Sequence, residues 1–331
     1  MIRRIFLVLL PLVLWIWGLG VKAAPQSDVR VPAPAQSNPA GSPTPSTEKA
    51  EPEEPDFAFI AGGPYTQAKN SLQVIFAGQW GRRNSRVAGG TLHHAEYGLL
   101  TRAEWGLTDR WELDAMIPVE GERHRLGVTL LDSTSSLADS IVGVRYRLLR
   151  EPSAPFTLTM GPQIVLPSGS TAQGTGFGAV GYAWDMAAAK DFGGPVFLLA
   201  SLNYSLFPSV RSPFPEEQRR YNIHTLFWGN ALVVRALEKD RGSNHHDLHL
   251  YFEYGLSREE NLEATNPAGK VADLVSVFSP GIRYGFLTKD KKLFEIGVVF
   301  PVGLSSAAAH HGIVVQVQFE QIFGRRAGRP E

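Results

Sequence analysis

Apolar and polar residues alternate with a period of two through most of the chain between residues 70 and 323. In the stretch WELDAMIPV, Trp111 and Leu113 share one face, whereas Glu112 and Asp114 share the other. Successive side chains of a β-strand point to opposite faces, so this period predicts strands. We count about twelve such runs, near residues 70–80, 94–106, 111–120, 138–149, 155–167, 179–190, 195–207, 221–236, 246–257, 272–287, 292–304 and 311–323. The sequence therefore predicts an all-β fold with antiparallel up-and-down strands.

A soluble β-sandwich and a transmembrane β-barrel can both contain such strands, and the connections between the strands distinguish the two. The connections are short at 107–110, 191–194 and 287–291, and long at 121–137, 168–178, 208–220 and 258–271. Outer-membrane barrels have short periplasmic turns and longer extracellular loops. The predicted strands are also longer than the five or six residues, roughly, that are common in soluble sheets. This pattern favours a transmembrane barrel over a soluble sandwich.

Aromatic residues on the apolar face near strand ends support the same choice. The tryptophans in such positions are Trp80, Trp105, Trp111 and Trp184. Tryptophan is enriched where a membrane meets water, because its ring is buried while its polar edge stays hydrated. The short turn between Trp105 and Trp111 is then periplasmic, and the two rings belong to an aromatic belt in the lipid bilayer.

The ends of the chain indicate export. Residues 1–23 have a basic start, an apolar run and a small-residue cleavage site, which is typical of a signal peptide. An uncleaved membrane anchor is the alternative, although the apolar run is short for a membrane span. We expect a disordered linker rich in Pro, Ser and Ala at 24–55, a barrel at 56–323 and a tail at 324–331. Residues 56–66 precede the first alternating run and could fold inward.

The last strand and the export signal together predict a location in a Gram-negative outer membrane. The stretch HHGIVVQVQF ends an alternating run on an aromatic residue, Phe319, which is typical of the strand that the barrel-assembly machinery recognises. That machinery is therefore an expected partner during biogenesis. The tail after Phe319 departs from this pattern.

Composition excludes several function classes. The formal net charge is +0, so nothing indicates a nucleic-acid partner. The chain has 0 cysteines, which excludes disulfides, thiolate catalysis and cysteine-based zinc sites. We expect no cofactor.

Charged residues on the polar faces are the candidates for a lumen lining. They are Glu96, Arg102, Glu104, Glu112, Asp114, Arg145, Arg147, Glu253, Arg283 and Glu295. Glu112 and Asp114 should lie beside Arg145 and Arg147 on the next strand. Two interpretations stay open: an ion-pair network that fills a narrow barrel, and a charged lining that selects solutes.

Three other patterns are weaker. His245, Asp247 and His249 share one strand face and are weak candidates for metal ligands, although same-face neighbours on a strand lie nearly 7 Å apart, by about two residue rises. Residues 176–181, GFGAVG, match a dinucleotide-binding fingerprint but lack its strand–helix context. The His93-His94 and His310-His311 pairs fall at expected rim positions.

The stretches GPYTQAKNSLQV, YGLLTRAEWGLTDRWELDAMIPV and DSIVGVRYRLLRE resemble the outer-membrane barrel family named for the meta-pathway of phenol degradation. Asp139-Ser140 stands where that family has Gly-Asp. The resemblance spans most of residues 57–323. It implies passage of small, often hydrophobic or aromatic, compounds across the outer membrane, and it carries over no catalytic residues.

We therefore expect a non-enzymatic transporter or channel for a small-molecule solute. One alternative is an outer-membrane lipid hydrolase, for which serines such as Ser201 and Ser205, with His224 on a neighbouring strand, are candidates. Another is a structural barrel whose proline-rich N-terminus tethers a periplasmic partner.

Overall fold

The computed structural model describes residue 59 and residues 62–87, 89–212, 219–241, 244–262, 270–288 and 292–322. The expected signal peptide, linker and C-terminal tail lie outside these residues. No helix in the described part of the chain is long and apolar enough to cross a membrane.

The described residues are almost entirely β-structure, with one short 3-10 helix at Thr171–Gln173. The strands are β1 (Ser71–Val87), β2 (Gly90–Gly106), β3 (Trp111–Leu126), β4 (Thr129–Leu137), β5 (Ser140–Leu149), β6 (Thr157–Leu166), β7 (Gly181–Asp191), β8 (Val196–Arg211), β9 (Arg220–Arg241), β10 (Asn244–Leu262), β11 (Lys270–Leu287), β12 (Lys292–Val299), β13 (Val302–Gly303) and β14 (His311–Ile322).

The strands form a closed antiparallel barrel. Strand β1 pairs with β14 from Ser71↔Ile322 to Arg82↔His311, which joins the two edges of the sheet. Strand β4 pairs only with β3, and the two-residue β13 lies between β11 and β14 after β12 has ended. The barrel itself has 12 strands, so the predicted fold class is confirmed.

The long connections are more ordered than the sequence predicts. The interval 121–137 is mostly strand, because β3 continues to Leu126 and β4 pairs back against it after a turn at Gly127. Gly127 has a φ of 57°, a left-handed conformation that glycine adopts without steric cost. Strands β8, β10 and β11 likewise extend into the predicted loops.

The two faces of the sheet differ in exposure as the alternation predicts. Leu99 and Ile117 on the outer face are 52% and 51% exposed, whereas Glu112 and Glu253 on the inner face are 0% exposed. The outer face is therefore an apolar surface that water alone would not stabilise, which a bilayer covers.

We predict that Ile117→Arg lowers the free energy of unfolding in lipid vesicles by about 2–4 kcal/mol, because Ile117 faces the middle of the apolar band. Leu107→Arg, in the turn between β2 and β3, is the matched control and should cost about 1 kcal/mol or less. Urea titration of the vesicle-inserted protein measures both. Equal losses would contradict a lipid-facing Ile117.

Candidate functional site

We call residues 62–70 the inner segment, which lies at the barrel end that carries the short β2–β3 turn, the end that the sequence predicts to be periplasmic. Residues 63–67 are all buried. The chain then reverses, with the Asn70 amide donating to the Gly106 carbonyl at 2.8 Å and the Ser71 amide donating to the Ala68 carbonyl at 2.9 Å. Asn70 has a φ of 61°, a left-handed conformation that asparagine tolerates in such turns. Strand β1 starts immediately afterwards, so the inner segment folds back into the lumen beside its own first strand.

A cluster of buried charges on β2, β3, β5 and β7 surrounds the inner segment. The Arg102 guanidinium lies 2.8 Å from Glu104 and 3.0 Å from Asp114. The Arg145 guanidinium lies 3.2 Å from Glu112 and 3.5 Å from Asp185. We call these six residues the first charge cluster. Each arginine therefore has two carboxylates within ion-pairing distance, and the cluster contains more carboxylates than guanidinium groups.

The inner segment supplies hydrogen bonds that the first charge cluster lacks. The Gln67 amide donates to Glu112 Oε2 at 2.6 Å, and its side-chain Nε2 donates to Glu104 at 3.2 Å. The Gly63 carbonyl accepts a hydrogen bond from Arg145. A buried charge is stable only when its hydrogen-bonding capacity is filled. The cluster and the inner segment therefore stabilise each other.

The register of the strands corrects one detail of the expected charge pairing. Glu112 is opposite Arg145, as expected, but Asp114 is opposite Gly143 and takes Arg102 of β2 as its partner. Arg147 lies nearer the periplasmic rim, where its guanidinium donates to the Asp109 carbonyl. The cause is a register shift of two residues between β3 and β5. In the shifted register, Glu112 would lie opposite Arg147 and Asp114 opposite Arg145.

A second charge cluster, formed by Glu253, Arg283 and Glu295, lies on β10, β11 and β12. Arg283 Nη1 is 3.6 Å from Glu295 Oε2. The amide of Phe59 donates to Glu253 Oε1 at 2.7 Å, and its ring lies 5.0 Å below the Arg283 guanidinium. The Tyr251 ring lies 5.5 Å from the Phe59 ring, edge to face. Phe59, just before the inner segment, thus contacts this second cluster.

Two apolar clusters lie mainly on the wall formed by β6–β9, which also carries Asp185 of the first charge cluster. Tyr65 of the inner segment packs in a buried cluster with Phe197, Leu199 and Val233 at one level. At the extracellular level a second apolar cluster forms around Phe207. The Phe177 ring packs 4.4 Å from the Phe207 ring. The lumen therefore has apolar patches beside its charge clusters.

Asp139 holds the loop that carries Phe177 over this wall. Its carboxylate accepts hydrogen bonds from the Gly169 amide at 2.8 Å and the Phe177 amide at 3.0 Å. The stretch 176–181 forms the end of this loop and the start of β7, a strand and not a helix. GFGAVG therefore lacks the helix that a dinucleotide-binding fingerprint requires, as its sequence context predicts.

The weak metal candidates are not brought together. Asp247 and His249 are buried on the inner face with a separation of 3.7 Å, whereas His245 lies at the rim and its Nδ1 is 2.8 Å from Asp240. Within the described residues, two groups bring three potential ligand atoms within 4.8 Å of one another, and neither group includes these three residues.

The hydrolase candidates lie on opposite faces of the barrel wall. Ser201 and Ser205 are buried on the inner face. His224 pairs with the outward-facing Leu206, and its Nδ1 lies 2.7 Å from the Tyr204 hydroxyl. Because the wall separates His224 from both serines, these residues cannot form a nucleophile–base pair.

The four predicted interface tryptophans lie on the outer face at two levels. Each is between 40% and 48% exposed. Trp105 and Trp111 flank the turn between β2 and β3. Trp105 is opposite Leu72 of β1, and Trp80 lies eight residues further along the same strand. Eight residues of strand span about 26 Å, or about 20 Å along a tilted barrel axis. This separation approximates the height of the apolar band of an outer-membrane barrel.

The fold is similar to that of an outer-membrane channel from Pseudomonas putida F1. The two share 11% sequence identity with a TM-score of 0.52, over 82% of this chain and 100% of that chain. The monoaromatic hydrocarbon channel CymD (TM-score 0.36, 9% identity, 78% of this chain and 90% of that chain) is a more distant match. A Pseudomonas aeruginosa FadL homologue is another distant match (TM-score 0.35, 9% identity, 77% of this chain and 90% of that chain).

The architecture is that of an outer-membrane β-barrel. No family profile matches the sequence, and no curated protein matches it either. Membership of the family named for phenol degradation therefore stays a prediction.

We predict that Arg145→Met lowers the free energy of unfolding by about 3–5 kcal/mol, because it leaves the buried Glu112 carboxylate without its charge partner. Denaturant titration of the folded barrel measures the loss. The double variant Arg145→Met/Glu112→Gln removes both charges and should recover part of the lost stability. A double variant that is less stable than Arg145→Met would contradict an ion pair between these residues.

Proposed function

We propose that the protein is an outer-membrane channel for small solutes, and that the inner segment closes its periplasmic end. The observation that carries this proposal is that residues 63–67 are buried, with Gly63 and Gln67 hydrogen-bonded to the first charge cluster. The inner segment can leave the lumen by the end at which it enters. The barrel would stay closed when it leaves, because β1 and its pairing with β14 begin only at Ser71.

The solute class follows from the apolar clusters and the charge clusters that line the lumen. The apolar clusters on β6–β9, with Phe177 and Phe207 at the extracellular level, offer contact to a hydrophobic or aromatic body. The charge clusters beside them offer hydrogen bonds to a polar substituent. We therefore propose that small hydrophobic or aromatic compounds carrying a polar group are the solutes.

The lumen charges have mainly a positioning role in this proposal. Arg102 and Arg145 each contact two carboxylates. Gln67 and Gly63 of the inner segment form further hydrogen bonds with Glu104, Glu112 and Arg145. When the inner segment moves away, Glu104 and Glu112 lose the hydrogen bonds from Gln67 and face the open lumen. In the open channel these charges then line the path and select among solutes.

The tether hypothesis concerns residues 24–55, which lie outside the described residues. The hydrolase hypothesis loses the pairing of His224 with Ser201 or Ser205, because His224 faces away from both serines. The channel hypothesis accounts for the apolar clusters and the charge clusters that line the lumen.

We predict that deletion of residues 24–68 raises single-channel conductance in planar bilayers several-fold, because the lumen loses its obstruction. Deletion of 24–55 is the matched control and should leave conductance unchanged, since it removes the linker and keeps the inner segment. Heat-modifiable migration in gels verifies that both variants form barrels.

A point variant tests the same closure without shortening the chain. A Cβ atom on Gly106 would lie 2.0 Å from the Ala68 carbonyl oxygen, so Gly106→Ala should displace the inner segment and raise conductance. Gly78→Ala is its control, because a Cβ there meets nothing within 4 Å. Conductance that neither the deletion nor Gly106→Ala changes, in variants that fold, would refute closure by the inner segment.

A further inference from the structure

Four polar residues form a compact block on β2 and β3, near the extracellular end of the lumen. His94 is directly opposite His124 across the two strands, and Glu96 is directly opposite Glu122. All four belong to the inward-facing set of their strands, because 94 and 96 share the parity of Arg102, and 122 and 124 share that of Asp114. We call them the rim block. None of them contacts the inner segment or either charge cluster in the hydrogen bonds described above.

The distances within the rim block define the orientation of each imidazole. His94 Nε2 lies 2.8 Å from Glu96 Oε1, and His124 Nε2 lies 3.2 Å from Glu122 Oε2. A carboxylate can only accept, so each Nε2 carries the hydrogen and donates it. The two Nδ1 atoms face each other at 3.2 Å, with ring centroids 4.4 Å apart.

This arrangement leaves two lone pairs facing each other. In a neutral imidazole, a hydrogen on Nε2 means that Nδ1 has none. His94 Nδ1 and His124 Nδ1 are therefore both acceptors at 3.2 Å, a contact that repels unless a cation lies between them. The directly opposed Glu96 and Glu122 add like charges across the same strand pair, which also destabilises the pairing without a counter-charge.

A metal ion fits the separation of the two nitrogens. Two imidazole nitrogens bound to tetrahedral zinc at about 2.0–2.1 Å are separated by about 3.3 Å, and the observed separation is 3.2 Å. Ligand atoms of His94, His124 and Glu122 all lie within 4.8 Å of one another, and Glu122 becomes a ligand by exchanging its hydrogen bond with His124 Nε2 for the metal ion. His94, whose Nε2 donates to Glu96, has the usual form of a metal-binding histidine.

We propose that the rim block is a binding site for a divalent transition-metal ion, with His94 and His124 as nitrogen ligands. Glu122 is the third ligand, and Glu96 orients His94. Imidazole ligands with a carboxylate suit zinc, nickel or copper and not the harder calcium or magnesium ions. The site is at the mouth of the lumen and separate from the inner segment.

The surroundings admit a cation from the extracellular side. The side chains of Glu96 and Glu122 are 46% and 54% exposed, so water reaches the carboxylate side of the block, while His94 is only 10% exposed. Asp132 of β4 is opposite His124 and adds a further acid. Arg83 of β1 is opposite His94, and its Nη1 donates to the Ala307 carbonyl at 2.9 Å. Acids thus outnumber basic groups around the two imidazoles.

Zinc titration by calorimetry tests the proposal on the full chain, purified without a histidine tag and folded in detergent. Wild type should show one high-affinity site, and His94→Gln and His124→Gln should each lose it. Glu96→Ala should weaken binding by about 10–100-fold, because it removes only the orienting carboxylate. His93→Gln is the matched control: His93 is adjacent in sequence but on the other face, where its Nδ1 lies 2.7 Å from Asn84, and its loss should leave affinity unchanged.

Electron paramagnetic resonance of the copper-loaded wild type provides a second measurement that needs no variant to fold. The spectrum should show coupling to two imidazole nitrogens at one equivalent of copper. A spectrum without nitrogen coupling would overturn the proposal. So would zinc affinity that is the same in wild type, His94→Gln and His124→Gln, because the two imidazoles would then share a proton in place of a metal ion.

Discussion

The structure depends on one constraint: every backbone N–H and C=O group within the hydrocarbon layer must have a protein partner. An open sheet of these strands would leave the edges of β1 and β14 unpaired in lipid. Their pairing from Ser71↔Ile322 to Arg82↔His311 removes both edges. Once the sheet is closed, the period-two alternation has one possible meaning, because one face must contact lipid and the other must enclose a lumen.

Closure also explains the interior. A barrel of this size has a narrow lumen, and its inward-facing side chains must pair with one another or with something placed between them. The first charge cluster has more carboxylates than guanidinium groups, so pairing within the wall leaves acceptors unfilled. The amide and side chain of Gln67 fill two of them. The inner segment is thus part of the charge balance of the lumen, and its movement would expose that charge to a solute.

Periodicity and connection length were enough to predict the barrel, its strand number and the face on which each strand residue lies. The sequence placed Glu112 and Asp114 beside Arg145 and Arg147 only as a group. It could not say which acid meets which arginine, since a shift of two residues between β3 and β5 keeps every side chain on its predicted face. The alternation determines the face on which each side chain lies, but it does not distinguish registers that differ by an even number of residues.

The sequence by itself determined which residues face lipid and which face the lumen, because parity along a strand is a local property. Only the tertiary structure decided which lumen residues meet: Arg102 with Asp114, Phe59 with Glu253, and His94 with His124. These contacts join residues as far apart as 194 positions in the chain. They depend on the strand register and on which atoms of residues 62–70 meet the wall, and no local pattern encodes either of them.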